Sequence, residues 1–165
     1  MRVLGVDTSL RSSGVAVVEE RGSKLVAVDY GTISIPPRRP LSECLRCLHE
    51  CLSELIERHR PEQVAVEGVF YGKNVKTAVA LAHARGVVIA VCTLAGLPVF
   101  EYPPRRVKQA VVGYGAAEKD QVRKMAMTLL SLEEAPGEDA GDALAIAICH
   151  LHSRTRHELI SSRPM

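Results

Sequence analysis

Apolar and β-branched residues concentrate in three early runs, Arg2 to Asp7, Gly14 to Glu20 and Leu25 to Ile35, separated by Ser12-Ser13 and by Arg21-Gly22-Ser23-Lys24. Runs of this length joined by short polar turns are consecutive strands, so an antiparallel meander is expected. Pro36-Pro37-Arg38-Arg39-Pro40 breaks the pattern, and Leu41 to His59 then shows helical spacing that Pro61 closes from beyond. Gln63 to Val69 is a short apolar strand interrupted only by Glu67. Because it follows a helix, pairing parallel to the first strand is the economical topology, which makes a βαβ unit. Asn74 is suited to cap a helix that runs through Leu94, with Gly96 past its end, and Pro98 to Tyr102 supplies a fifth strand. Helices over Val107 to Val112, Lys119 to Leu130 and about Asp139 to His152 complete the pattern.

Three antiparallel strands followed by alternating helices and parallel strands is the order of the ribonuclease H-like fold, an α/β fold with a mixed five-stranded sheet flanked by helices. Other α/β folds share that order. Neither an internal repeat nor a linker divides the chain, so residues 1–153 are expected to form one domain and the polar stretch 154–165 a frayed tail.

Composition narrows the picture only slightly. At 165 residues and 47% hydrophobic content the chain can bury a sizeable core. A formal charge of +2 permits nucleic-acid binding without arguing for it. The start runs straight into a strand with no signal-peptide pattern, and no stretch reaches about eighteen uninterrupted apolar residues, so a cytosolic protein with no membrane span is expected. Cys44, Cys47 and Cys51 share one helical face with Leu48, Leu52 and Leu55, which reads as core packing by free thiols rather than a metal or disulfide site.

The chemistry lies in the acids. Asp7 ends the run Val3-Leu4-Gly5-Val6 and Glu67 sits in Val64-Ala65-Val66-Glu67, so each interrupts or ends a strand that otherwise looks buried. A lone ionised carboxylate there is costly. If the strands are parallel neighbours, the two acids can face one another and repel by roughly 4 kcal/mol at about 4 Å and an effective dielectric near 20, so something positive should sit between them. Asp139 and Asp142 lie three apart at the start of the last helix and share a face, while Glu138 points elsewhere. Taken singly, each acid has an ordinary explanation: a turn residue, a solvated carboxylate, or a first-turn acid that caps amides and complements the helix dipole. Together, hard oxygen ligands from three separated elements are what Mg²⁺ requires, and two such ions about 4 Å apart would activate water and stabilise a leaving oxygen.

From Asp7 to His152 the sequence resembles the bacterial RuvC family of Holliday junction endonucleases. The resemblance rests on Val66-Glu67-Gly68-Val69-Phe70 with Lys73-Asn74, then Ala84-Arg85-Gly86-Val87, Pro98-Val99-Phe100-Glu101-Tyr102, Val107-Lys108-Gln109 and Asp139-Ala140-Gly141-Asp142-Ala143-Leu144-Ala145-Ile146-Ala147, all in family order. It implies that Asp7, Glu67, Asp139 and Asp142 are catalytic acids that bind two Mg²⁺ ions, with Mn²⁺ as a possible substitute. It also implies a homodimer that makes paired nicks in four-way junction DNA, leaving 5′-phosphate and 3′-hydroxyl ends, and that works with the branch-migration proteins RuvA and RuvB.

Phe70 matches the family's junction-stacking aromatic, and stacking on an unpaired base is worth about 1–3 kcal/mol. Tyr71 follows it in the same loop; packing of either ring onto the domain's own surface is the alternative. Lys108 and Lys119 match basic positions that lie near the scissile phosphate in the family, although Lys119 sits among Glu118, Asp120, Arg123 and Lys124 and resembles an ordinary charged surface. Arg105 and Arg106, with Lys73, Asn74 and Lys76, are further expected DNA contacts.

Two departures stand out. Asp7-Thr8-Ser9 replaces the family's common Asp-Pro-Gly, and Gly68 replaces a frequent glutamine. The opening alone would also suit actin-like ATPases, but 165 residues without a phosphate-binding glycine loop leave little room for their second lobe. A ribonuclease H-like nuclease acting on other branched DNA and a non-catalytic junction-binding module are the remaining rivals.

Overall fold

Strand parity decides which face of the sheet each side chain reaches. In the computed structural model, which describes residues 1–68, 74–157 and 164, five strands lie in the order β3-β2-β1-β4-β5. They are β1 (Arg2–Asp7), β2 (Ser12–Arg21), β3 (Lys24–Ser34), β4 (Gln63–Glu67) and β5 (Val99–Tyr102). The β1–β2 and β2–β3 pairs are antiparallel, and β1–β4 and β4–β5 are parallel. The mixed sheet and its helices are those expected for the ribonuclease H-like arrangement.

Helices α1 (Leu41–His59) and α2 (Val75–Leu94) cover one face of the sheet; α5 (Glu138–His157), backed by α3 (Pro104–Val112) and α4 (Lys119–Leu130), covers the other. Leu4, Val6, Val64 and Val66 enter the core beneath α1 and α2. Val3 and Ala65 enter the core beneath α5. Continuing the two-residue alternation, Asp7 and Glu67 fall on the α5 face, at the C-terminal ends of neighbouring parallel strands.

Two glycines let α5 lie directly on the sheet. A Cβ on Gly5 would stand 2.3 Å from the Ala143 carbonyl oxygen, and one on Gly14 would stand 1.9 Å from that of Asp139. No side chain fits in either gap, so the first turns of α5 are pressed onto β1 and β2. Residues 143–149 of this helix are buried on all sides, which makes it the central helix of its layer. The buried His150 of this helix is hydrogen-bonded between the Tyr102 hydroxyl at 2.8 Å and the Gln63 side chain at 2.6 Å.

The remaining elements differ from expectation mainly at their ends. α3 begins at Pro104 rather than Val107, because proline at the first helical position gives up a hydrogen bond the helix could not make anyway. α5 continues to His157, five residues past the expected His152. The helix takes in residues 154–157 of the expected tail, and residues 158–163 and 165 lie outside those described.

All five cysteines are free; Cys44 is buried with Leu48 and Leu52 in the α1 core, with Cys47 and Cys51 partly buried beside it. α2 is long and apolar enough to cross a membrane by length and composition alone. In the fold it packs Ala84, Val88, Val91 and Cys92 into the core, while Val75, Val79 and Leu94 remain 75%, 50% and 85% exposed.

Candidate active site at the end of the central strands

The register that pairs Val6 with Val66 brings Asp7 and Glu67 level at the next step. Their charges sense each other and Asp142. Burial pushes the Asp7 carboxyl up to about 6, reinforced by repulsion from Asp142 and Asp139. Burial likewise pushes Glu67 up to about 7, reinforced by repulsion from Asp7 and then Asp142. Lys119 opposes both shifts, and Lys108 opposes that of Glu67. The four acids proposed from sequence are therefore brought together at one place, from β1, β4 and the first turn of α5.

Lys119 is the cation in this group. Its Nζ stands 2.8 Å from Asp142 Oδ2 and 3.5 Å from Glu138 Oε1. The hydrogen bond from Lys119 to Asp142 is the main reason its ammonium is held above the ordinary lysine value. The sequence expectation that Glu138 points elsewhere is corrected here: it shares Lys119 with Asp142 because α4 starts opposite the first turn of α5. Lys119 itself occupies the first position of α4, behind a Glu118–Gln121 capping box. A cation at a helix N-terminus opposes the dipole, typically by about 0.3–1 kcal/mol. An ordinary surface lysine has no reason to sit there, whereas one facing carboxylates does.

Lys108 is half-buried and donates to the Ala117 carbonyl at 2.6 Å, which ties α3 to the turn before α4. Together with Glu67, Lys119 and Asp142 it lines a cleft whose apolar walls are Val107, Val122 and Ala145. A different hollow, over β2 and β3 near Tyr30 and Leu55, has Asp29 as its carboxylate, already bonded to His59 at 2.8 Å.

Sequence reasoning passed over two residues in the site. The Ser12 hydroxyl donates to Asp139 Oδ2 from the start of β2. Arg85 donates to the Glu67 carbonyl oxygen at 2.6 Å and to Glu101 at 2.8 Å, and so fixes the strand end that carries Glu67. Arg85 appeared in a sequence motif, but only the fold shows what it grips. The same clamp gives a reason for Gly68, since a Cβ there would come 2.8 Å from Glu101 Oε1. At the other departure, the Ser13 hydroxyl bridges the Ser9 amide and carbonyl and holds the turn after Asp7.

The acids fit a hard divalent cation by donor type and charge: all are oxygen ligands, and two of them are desolvated and mutually repelling. As the side chains stand, no three His, Cys, Asp or Glu residues among those described are already disposed to hold one ion. Asp142 is turned to Lys119, whose ammonium engages its Oδ2.

Among the expected DNA contacts, Arg105 is exposed and Arg106 half-buried in the first turn of α3, and Lys76 is exposed near the start of α2. The Asn74 side-chain oxygen Oδ1 accepts from the amides of Lys76 and Thr77, so Asn74 caps α2. Phe70, Tyr71 and Lys73 lie outside the described residues.

Comparison with known proteins agrees with this geometry. The family described as "Crossover junction endodeoxyribonuclease RuvC" matches residues 3–150. A protein of that name from Pelotomaculum thermopropionicum is 46% identical over 156 residues, covering 94% of this chain and 95% of its own. Another from Myxococcus xanthus is 50% identical over 154 residues, covering 92% and 81%. Among solved structures, Thermus thermophilus RuvC in complex with a Holliday junction substrate superposes with a TM-score of 0.93 at 34% identity, over 100% of this chain and 99% of that one. With matches that run from the first strand into the last helix, the chain belongs to the RuvC family of crossover junction endodeoxyribonucleases.

Proposed function

We propose that this protein resolves four-way DNA junctions by hydrolysing phosphodiesters at a divalent-metal centre held by Asp7, Glu67, Asp139 and Asp142. The observation that carries this reading is the convergence of buried strand-end carboxyls with the first-turn acids of α5, opposite Lys119. Two carboxyls displaced to about 6 and about 7 are under strain that a cation would relieve. Such clusters mark functional sites more often than structural ones.

The bound metal, Mg²⁺ or Mn²⁺ and two ions by family resemblance, would supply an activated water and charge stabilisation for the leaving oxygen. The protein supplies the rest. Arg85 and the Glu101 clamp hold the Glu67 strand end in place. Lys119 reaches across the acids with a charge suited to phosphate oxygens as negative charge builds on them. Lys108, fixed on the Ala117 carbonyl, keeps a second positive charge near Glu67. In this reading Arg105, Arg106 and Lys76 contact backbone phosphates, while Phe70, with Tyr71 and Lys73 as further DNA contacts, is assigned the junction wedge from sequence.

Two nicks of like polarity need two active sites, which a homodimer provides. The uncovered apolar side of α2, with Val75, Val79 and Leu94 exposed, suits a second copy of the chain. The same reading gives products with 5′-phosphate and 3′-hydroxyl ends and a partnership with RuvA and RuvB, both taken from the sequence resemblance. The test is a synthetic four-way junction with Mg²⁺: the protein should make symmetric paired nicks, and Asp7→Asn should bind the junction and leave it whole. Equal cutting of plain duplex would refute junction specificity.

A further inference from the structure

We infer that Ser12 is a positioning residue of the metal centre, holding the Asp139 carboxylate in a fixed orientation before an ion arrives. This rests on the metal-dependent reading above and adds a residue to it. Ser12 opens β2 and follows the parity of Ala16 and Val18, whose side chains enter the core beneath α5. Its hydroxyl donates to Asp139 Oδ2 across 127 residues of sequence.

A second observation shows that this meeting is imposed by the fold. The gap at Gly14, where a Cβ would stand 1.9 Å from the Asp139 carbonyl oxygen, presses the backbone of Asp139 against β2 next to Ser12. The neighbouring Ser13 hydroxyl is committed elsewhere, to the turn at Ser9. Of the two serines, Ser12 alone is turned toward the acids.

The chemistry of the donor matters. Asp139 lies between Glu138 and Asp142, so three acids within five residues repel one another and Asp7. Lys119 answers that repulsion with a full positive charge on Asp142 and Glu138, a charge that also opposes an incoming cation. The Ser12 hydroxyl is neutral. It occupies one oxygen of Asp139 and leaves the carboxylate's whole negative charge and its second oxygen for a ligand bond. Hydrogen bonds that orient ligands in this way commonly set metal affinity by about 10–100-fold.

The experiment measures Mn²⁺ binding to the DNA-free protein by calorimetry, with thermal unfolding in EDTA as the structural control. Ser12→Ala should weaken Mn²⁺ binding by about tenfold or more, while Ser12→Thr, which keeps the hydroxyl, should stay near wild type. Both should melt in EDTA at the wild-type temperature. In junction cleavage, Ser12→Ala should need correspondingly more Mg²⁺ for half-maximal rate and approach the wild-type rate at saturation. Unchanged Mn²⁺ affinity in Ser12→Ala would overturn the inference, as would a drop in melting temperature with affinity intact, which would make Ser12 a structural tie. Wild-type protein that binds no Mn²⁺ would instead overturn the metal-dependent reading, and this inference with it.

Discussion

Removing the charge of Glu67 should stabilise the metal-free protein, and mainly at high pH. Glu67 is pushed from 4.5 to about 7 by burial and by Asp7 and Asp142, so its ionised form is disfavoured in the folded state. A folded value above the unfolded one means that the stability linked to the neutral carboxyl is complete below about 4.5 and is lost as pH rises through about 7. Each tenfold change in proton affinity is worth about 1.4 kcal/mol, which would make the unscreened cost roughly 3 kcal/mol at pH 8. The carboxyl keeps contact with solvent, so about half of that, 1–2 kcal/mol, is the expected magnitude. For a chain of this size the difference corresponds to about 3–6 °C in melting temperature.

The assay is thermal unfolding in EDTA at pH 5 and pH 8 for wild type and Glu67→Gln. Glutamine keeps the shape and removes the charge, and comparison with wild type at each pH cancels the titrating groups that do not interact with Glu67. The two proteins should differ at pH 5 by only about a quarter of the full effect, and the variant should melt higher by about 3–6 °C at pH 8. Millimolar Mg²⁺ should reverse the order at pH 8, because binding to the native state stabilises in proportion to the logarithm of free ligand over its dissociation constant. A variant less stable than wild type at pH 8 in EDTA, or an identical difference at both pH values, would refute the claim that the acids are held in electrostatic strain.

Two further outcomes follow from the same geometry. Lys119→Ala should slow single-turnover junction cleavage on the order of 100-fold, with a much smaller loss of junction binding in gel shifts. It should also move the cleavage optimum to higher pH, since Lys119 holds Asp7 and Glu67 down; an unchanged rate would return this lysine to the ordinary surface. Val79→Glu combined with Leu94→Glu places charge on the exposed side of α2, and light scattering should then report one chain rather than two. A mass that stays at two chains would move the dimer contact to another face.

How much of this was legible in the sequence depends on the range of the interaction that fixes each feature. The bounds of β1, α1 and α4 could be read to the residue, because local signals set them: strand runs, helical spacing, the Pro61 stop and the charged start at Lys119. The start of α3 was missed by three residues, because a double proline looks like a break until Pro104 is recognised as a first helical position. Asp7 and Glu67 stood out because a carboxylate in an apolar strand contradicts its surroundings, and such contradictions are visible without a structure.

Asp139 and Asp142 were ambiguous, since helix caps and metal ligands have the same letters in the same places. The fold adds partners from distant elements: their oxygens meet Ser12 of β2 and Lys119 of α4. No local pattern marks a serine at a strand start as the neighbour of an acid 127 residues away. That proximity depends on Gly14, whose missing side chain admits the helix and whose own letter gives no hint of it. Asp7 and Glu67 could therefore be found from sequence as violations of local rules, whereas Asp139, Asp142 and the groups that orient them obey every local rule, and their partners come to light only when the chain is closed. Substitutions at Ser12 or Arg85 are accordingly the ones whose effects sequence patterns would underrate, because each acts on a carboxylate or its strand through a contact made by another element.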